Sequence, residues 1–287
     1  MTEQSFALDR GQMRRAFERA APAYERAAWL QREIGDRLLA RLDVIKLVPA
    51  RILDLGCGSG HCTRALRERY RRAEVIGLDI APAMLRAARR RDGWWRRGRW
   101  VGGDAERLPF AGGSFDMVIS NLSVQWCDPE RVFPEVARVL RPGGLFLFTS
   151  FGPDTLRELR QAWAAVDGAP HVHGFIDMHD LGDALVRARL AEPVMDVDRL
   201  TLTYKDVMGL LRELKAIGAH NVAHDRPRAL TGKHRFARFR AAYEAQARDG
   251  RIPATYEVVY GHAWGAPAAP TGVVTVPLTQ LRRPGGM

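Results

Sequence analysis

Arg51-Ile52-Leu53-Asp54-Leu55-Gly56-Cys57-Gly58-Ser59-Gly60 is the stretch on which the reading of this chain turns. Ile52, Leu53 and Leu55 make the short apolar run that a buried strand needs, and glycines follow at three alternate positions. His61 to Tyr70 continues as a helix with Ala65 and Leu66 on its inner face. Strand, glycine-rich turn and helix together build a nucleotide site, because glycine lets the backbone approach a ligand and the helix opens with free N–H groups. The spacing is G-x-G-x-G, so His61 stands where the last glycine of the dinucleotide fingerprint would fall. A glycine-rich turn is weak alone, and the strands after it have to agree.

They do agree. Ala73 to Asp79 is a second strand ending in an acid, and a carboxylate there can accept the hydrogens of both ribose hydroxyls of an adenosine. Pro82 opens a helix with Met84, Leu85 and Ala88 inward. Its other face is basic (Arg86, Arg89, Arg90 and Arg91, then Arg96, Arg97 and Arg99), and a solvated helix face is the plainer reading of that run. Trp100 to Phe110 is a third strand with its loop, where Asp104 can hydrogen-bond an adenine amino group while the Ala105 N–H faces a ring nitrogen. Phe115 to Asn121 is a fourth strand. Asp128 and Pro129 start the next helix as N-cap and first-turn proline, and Leu145 to Thr149 is the fifth strand. Five strands alternating with helices specify a parallel sheet in a doubly wound α/β domain. Ligands of such sheets sit at the C-terminal strand ends, where Gly56, Asp79, Asp104 and Asn121 fall.

Residues 1–47 precede this core and are expected to form a helical lid across its mouth. Met13, Phe17 and Ala21 recur at helical spacing, Leu30, Ile34, Leu38 and Leu42 make a second stripe, and Pro22 is expected to separate two helices. Tyr24 and Gln31 are polar residues among these apolar ones. Residues 48–265 form the main domain, with an insertion over about 152–176. Within it the pattern predicts helices over 154–165, 177–189 and 206–217, strands over 194–204 and 255–264, and a basic, partly helical stretch over 226–251. From residue 266 to 287, Pro, Gly, Ala and Arg predict a poorly ordered tail.

The chain has 287 residues, 46% of them apolar, enough for a real core. Its net charge of +11, carried mainly by arginine, favours an acidic partner or an anionic substrate, with simple solubility as the plainer account. Cys57, Cys62 and Cys127 give neither a disulfide framework nor a C-x-x-C pair. Thr2, Glu3 and Gln4 open no signal peptide, and no run reaches the roughly 18 apolar residues of a spanning helix. The expectation is a cytoplasmic protein without a membrane partner.

Asp54 to Gly60, Asp79, Asp104-Ala105-Glu106 and Asn121 to Trp126, in this order and at this spacing, resemble class I S-adenosylmethionine-dependent methyltransferases over residues 48–150. A narrower resemblance, over roughly residues 10–265, is to the malonyl-carrier-protein O-methyltransferases of biotin synthesis. It is carried by Phe17-x6-Tyr24-x6-Gln31, by Asn121-Leu122-Ser123-Val124-Gln125-Trp126-Cys127, and by Phe151-Gly152-Pro153-Asp154-Thr155-Leu156. Phe175-Ile176-Asp177-Met178-His179-Asp180 and Lys215-Ala216-Ile217-Gly218-Ala219-His220-Asn221 continue it. The resemblance implies methyl transfer from S-adenosylmethionine to the free carboxylate of a malonyl thioester, giving S-adenosylhomocysteine and a charge-masked ester that primes pimeloyl and biotin synthesis, without a metal.

It also implies a cofactor site. Asp54, Gly56, Cys57, Gly58 and Gly60 would take the methionine portion and the turn, and Asp79, Ile80 and Met84 the ribose side. Asp104, Ala105 and Glu106 would take the adenine, Asn121 and Leu122 would border the sulfonium, and Tyr24 and Gln31 would belong to the lid, Tyr24 as the catalytic residue. A carboxylate acceptor is already ionised at pH 7, so no general base is required. Arg157, Arg160, Arg199 and Lys205 are candidate anchors for it, while fold-level hydrogen bonding is the preferred role for His171, His173, His179 and His220.

The implied partner is an acidic acyl carrier protein bearing malonate, or malonyl-coenzyme A. Arg86 to Arg99 and Arg226 to Arg251 are the candidate docking patches. Other readings are a quinone-pathway-like small-molecule methyltransferase and a non-catalytic assembly factor that keeps the fold. An RNA methyltransferase is disfavoured, since Asn121-Leu122-Ser123-Val124 stands where an Asn-Pro-Pro-aromatic motif would, and no basic-aromatic module is present.

Overall fold

The computed structural model describes residues 8–92, 98–222 and 231–267. Two helices come first, α1 (Arg10–Ala27) and α2 (Trp29–Ala40). Asp9 caps α1 by accepting a hydrogen bond from the Gln12 N–H at 2.9 Å. Pro22 does not separate the two helices as the sequence predicted; it lies inside α1, and the chain breaks at Ala28. A mid-helix proline forfeits one backbone hydrogen bond. Here packing of Ala21 just before it and Tyr24 just after it carries the helix through, while Pro22 itself faces outward. The second stripe is as expected: Leu30, Ile34, Leu38 and Leu42 are all buried.

The alternation follows as β1 (Arg51–Leu55), α3 (His61–Arg69), β2 (Glu74–Asp79), α4 (Pro82–Arg91), β3 (Arg99–Gly102), β4 (Phe115–Ser120), α5 (Pro129–Val139) and β5 (Leu140–Phe151). After it come α6 (Arg157–Ala164), α7 (Met178–Arg187), β6 (Leu190–Tyr204), α8 (Val207–Ala216), α9 (Lys233–Glu244) and β7 (Ile252–Gly265). All seven strands join one sheet in the order β3-β2-β1-β4-β5-β7-β6. Strands β1 to β5 are mutually parallel, and β7 runs antiparallel between β5 and β6. The doubly wound α/β class is therefore present, with an antiparallel strand at its far side.

Successive residues of the central strands feed opposite faces, as the two-residue period of a strand demands. Ile52, Met117, Ile119, Leu145 and Leu147 pack into the core that includes α2 and α8. Leu53, Leu55, Val118, Phe146 and Phe148 pack into the core that includes α5 and α7. Both faces are thus sealed, and the remaining access is at the strand ends. Leu55 pairs with Leu78 and Asp79 with Gly102, so β1, β2 and β3 finish level with one another. The order of the chain reverses between β1 and β4, which opens a crevice at that edge.

The helix expected from residue 154 starts later, at Arg157. Leu156 is held at φ 57° with its N–H donated to the Thr255 carbonyl at 2.6 Å, which keeps 152–156 out of the helix and stitches them to β7. Arg96, Arg97, the start of the 226–251 stretch and the tail from 268 lie outside the described residues. Among the described residues no helix is long and apolar enough to cross a membrane.

Candidate functional site

A cleft opens at the crevice beside β1, and a second lobe adjoins it, the two sharing Tyr24, Gly56, Gly58 and Asn121 as walls. Sites for cofactors and small ligands have this position in open α/β sheets. The larger lobe takes Asp79 from the end of β2, Ile80 just beyond it, Met84 from α4, Asp104 and Ala105 from beyond β3, and Leu122 from beyond β4. The smaller lobe takes Gln31, Asp54 and Cys57.

The glycines of the turn divide their labour. Gly56, Gly58 and Gly60 all hold left-handed backbone angles, which glycine adopts without strain. A Cβ on Gly58 would meet only the Tyr24 ring at 3.8 Å, so this glycine keeps the cleft floor bare. A Cβ on Gly60 would fall 2.4 Å from Trp100 Cη2. Gly60 therefore packs the start of α3 and does not line the cleft, in contrast to its expected place in the cofactor site.

Asp79 is buried, and its carboxylate is held by two backbone donors, the Gly58 N–H at 2.9 Å and the Ala81 N–H at 2.8 Å. Burial pushes its pKa up to about 6, and those two hydrogen bonds restrain the rise. Asp54 is 1% exposed and accepts the Thr63 hydroxyl; burial raises its carboxyl to about 6 as well. At neutral pH both are ionised, so the floor carries two carboxylates that a cationic or hydroxyl-bearing ligand would satisfy.

Asn121 is fixed from both ends. Its Nδ2 donates to the Gln31 carbonyl at 2.8 Å, and its Oδ1 accepts from Thr149 Oγ1 at 2.8 Å, while that hydroxyl accepts the Leu122 N–H at 2.8 Å. Leu122 is thereby held at φ 51°, a strained conformation for a branched residue and one that clusters at functional sites. Asn121 thus ties the strand end to the start of α2.

The inner face of α1 closes the cleft with Arg10, Met13, Phe17 and Tyr24. Phe17 packs edge-on against Trp126, with ring centroids 5.3 Å apart. The Tyr24 phenol is pushed above its ordinary range by burial, and next by the nearby Asp79 charge, so it stays neutral and able to donate. Arg10 grips Asp104 and Glu106 together, and Glu106 also accepts the Asp128 N–H at 2.9 Å. Glu106 faces this ion cluster and a neighbouring depression, so it holds the loop after β3 and does not itself line the cleft.

None of the four anchors expected from sequence lines either lobe. Arg157 and Arg199 pair with Asp154, Arg160 donates to the carbonyls of Pro153 and Thr155, and Lys205 is exposed. The cations in the walls are Arg10 and Arg32. Three of the histidines follow expectation only in part. His171 bonds Asp167 at 2.9 Å and His179 bonds Asp177 at 2.6 Å, but His173 Nε2 is buried without a partner. Its ring lies 4.9 Å from Trp126, and burial with Arg160 nearby lowers its pKa to about 4.

Sequence reasoning passed over Arg10, Arg32, Ser123 and Trp126 as lining residues. The signal for Arg10 was available, since Arg10, Phe17 and Tyr24 are spaced seven apart, two helical turns each time, and so fall on one face of α1. Among the described residues no group of three or more His, Cys, Asp and Glu could hold a metal ion.

Comparison with known proteins agrees with this geometry. Residues 53–148 match the family model described as "Methyltransferase domain". A malonyl-[acyl-carrier protein] O-methyltransferase of Laribacter hongkongensis is 53% identical over 281 residues, covering 94% of each chain. The protein of the same name from Halorhodospira halophila is 48% identical over 285 residues, covering 96% of this chain and 97% of its own. Among solved structures, the YcgJ protein of Bacillus subtilis aligns with a TM-score of 0.59 at 17% identity, over 80% of this chain and 98% of its own. A putative methyltransferase of Bacillus halodurans aligns with a TM-score of 0.58 at 18% identity, over 80% and 99%. The structural likenesses speak for the fold, and the full-length identities extend over α1, α2 and the region after β5 as well as the core. The chain belongs to the malonyl-[acyl-carrier protein] O-methyltransferase family.

Proposed function

We propose that this protein transfers a methyl group from S-adenosylmethionine to the free carboxylate of a malonyl thioester on an acyl carrier protein, giving the methyl ester that primes biotin synthesis. The observation that carries the proposal is identity of about half to relatives of that name along the whole chain, including α1, α2 and the segments after β5.

The walls fit the cofactor. Asp79 stands where ribose hydroxyls need an acceptor, Gly58 leaves room for backbone approach, and Gln31 Oε1 is a buried acceptor without a partner. When bound, the sulfonium would supply an electrophilic methyl group. Ala105 and Asp104 would take the adenine, Met84 and Ile80 would flank the ribose, and Asn121 and Leu122 would border the sulfur. Phe17, Met13 and Trp126 would keep water from the reacting atoms, with α1 and α2 acting as a lid.

An ionised acceptor carboxylate needs no proton removed, so what remains for the protein is alignment. The neutral Tyr24 hydroxyl can donate to that carboxylate and orient it. A neutral donor suits the task, because a tight ion pair would stabilise the ground state as much as the transition state.

The carrier would dock beside this lid. Arg15, Arg19 and Arg26 form a stripe on the outer face of α1 and are exposed, with no ion pair among the described residues. On α4, by contrast, Arg91 is paired with Glu25, and beyond it Arg99 is paired with Glu74, leaving Arg86 and Arg90 to extend the basic face. An acidic partner would be steered to that surface. Methyl label recovered on the carrier as a base-labile ester would support this function; label in an alkali-stable linkage would oppose it.

A further inference from the structure

Phe17, which lines the cleft, also marks the place where α1 meets the end of α8. There Gly218 holds a left-handed backbone at φ 76°. Its N–H donates to the Lys215 carbonyl at 3.1 Å, and the Ala219 N–H donates to the Leu214 carbonyl at 2.9 Å. Those two hydrogen bonds are the Schellman close of a helix, and they turn the chain back sharply. Close approach asks for glycine as well. A Cβ at this position would lie 3.2 Å from Ala20 Cβ and from Phe17 Cδ1, and 3.3 Å from the Ala16 carbonyl oxygen, so the turn rests directly on α1.

This contact gathers three basic side chains from two elements. Arg19, between Ala16 and Ala20 on α1, is exposed, and so is Lys215 in the last turn of α8. His220 follows the glycine by two residues and is half-buried. Burial, and then the charges of Arg19 and Lys215, hold its ring below the ordinary histidine range. The acids nearest in sequence are engaged elsewhere: Glu18 pairs with Arg14 at 3.8 Å, and Glu213 accepts the Tyr204 hydroxyl at 2.9 Å. Among the described residues no carboxylate pairs with Arg19, Lys215 or His220. A lysine in a last helical turn answers the helix dipole and by itself needs no ligand. That does not account for Arg19 and His220 beside it, because like charges at close range repel.

We infer that Arg19, Lys215 and His220 form a binding site for the phosphate that joins a carrier protein to its thioester-bearing arm. This rests on the carrier-protein reading above and adds to it a specific anchor for the arm. A phosphodiester offers several acceptor oxygens to a guanidinium, an ammonium and an imidazole N–H, and charge-assisted hydrogen bonds are the stronger class. The position suits the arm. Phe17 stands between the cluster and Trp126 of the cleft wall, so an arm anchored at Arg19 has the thickness of α1, about 10 Å, to pass before its thioester enters the cleft. A malonyl thioester that lacks the phosphate reaches the same cleft with lower affinity.

The test compares acceptors on the full-length protein. Methyl transfer is measured to malonyl-carrier protein, to malonyl-phosphopantetheine, and to malonyl-pantetheine, which lacks the phosphate. The unaltered protein is expected to show a KM about tenfold lower for malonyl-phosphopantetheine than for malonyl-pantetheine. Arg19→Gln combined with Lys215→Gln should abolish that difference by raising KM for both phosphate-bearing acceptors. The same double variant should keep kcat and the malonyl-pantetheine KM within about twofold. Lys215→Arg, which keeps the charge, should retain the difference, and calorimetric binding of S-adenosylhomocysteine reports a folded site in every variant. Equal KM of the unaltered protein for the two pantetheine acceptors overturns the inference. So does a loss in the double variant that falls on the carrier protein alone, or equally on all three acceptors; each of these results leaves the methyl-transfer reading standing. No transfer to any of the three acceptors, from a protein that binds the cofactor, overturns that reading and the inference with it.

Discussion

Asp54→Asn should make the ligand-free protein more stable at neutral pH while weakening its hold on the cofactor. Asp54 is 1% exposed at the end of β1, and its carboxyl sits at about 6 in place of the ordinary 3.8 because burial disfavours the charge. An acid whose folded pKa lies above its unfolded value binds protons more readily when folded. Its ionisation therefore costs stability, and the cost grows as pH rises from about 4 to about 6 and is complete above. The displacement from 3.8 to about 6 corresponds to about 3 kcal/mol at pH 7. Asparagine has no charge to desolvate, and its carbonyl can still accept the Thr63 hydroxyl. Allowing for one imperfectly placed amide N–H, the expected gain is about 1–3 kcal/mol at pH 7.5. Urea unfolding of both proteins across pH 4 to 8 measures it, with the difference closing toward pH 4. A variant no more stable than the parent at pH 7.5, or a difference that ignores pH, would refute the reasoning.

The other expectations are shorter. Tyr24→Phe should lower kcat about ten- to a hundredfold with cofactor affinity within about threefold, as single-turnover rates and calorimetry would show, and an unchanged kcat would remove Tyr24 from the reaction. Gly60→Ala should cost about 2 kcal/mol or more in urea unfolding, because its backbone angle is left-handed and the new methyl meets Trp100; a loss below about 0.5 kcal/mol would contradict the packing role. Reversing Arg15, Arg19 and Arg26 together to Glu should raise KM for a malonyl-carrier protein about ten- to a hundredfold and flatten its salt dependence. It should spare KM for malonyl-pantetheine, and parallel changes in both would argue against carrier docking on α1.

The sheet was legible because its signal is local. Each of β1 to β5 is an apolar run closed by a turn or an acid, and the short-range rules for α/β units then fix a parallel order. The place of β7 was not legible, since Thr255 to Trp264 shows a strand but nothing in its pattern says between which neighbours it inserts, or in which direction. Pro22 misled for a related reason: helix propensity opposed it, while the packing of Ala21 and Tyr24 against α4 decided. In the site, residues on the glycine turn and strand ends could be found because sheet topology gathers them. Arg32 escaped notice because its place in the wall is set by Glu25 of the neighbouring helix, with which it pairs only in the folded chain. Arg157 and Arg199 attracted notice as candidate anchors for a carboxylate, yet their neighbours Asp154, Glu158 and Glu257 pair with them in the folded chain.

The central claim is that the acceptor is the free carboxylate of a malonyl thioester. The most direct measurement is the intact mass of malonyl-carrier protein after incubation with the enzyme and S-adenosylmethionine, beside acetyl-carrier protein treated identically. The account predicts a gain of one methyl group on the malonyl form and none on the acetyl form. Equal methylation of both, or none on the malonyl form from a protein that binds the cofactor, would contradict it.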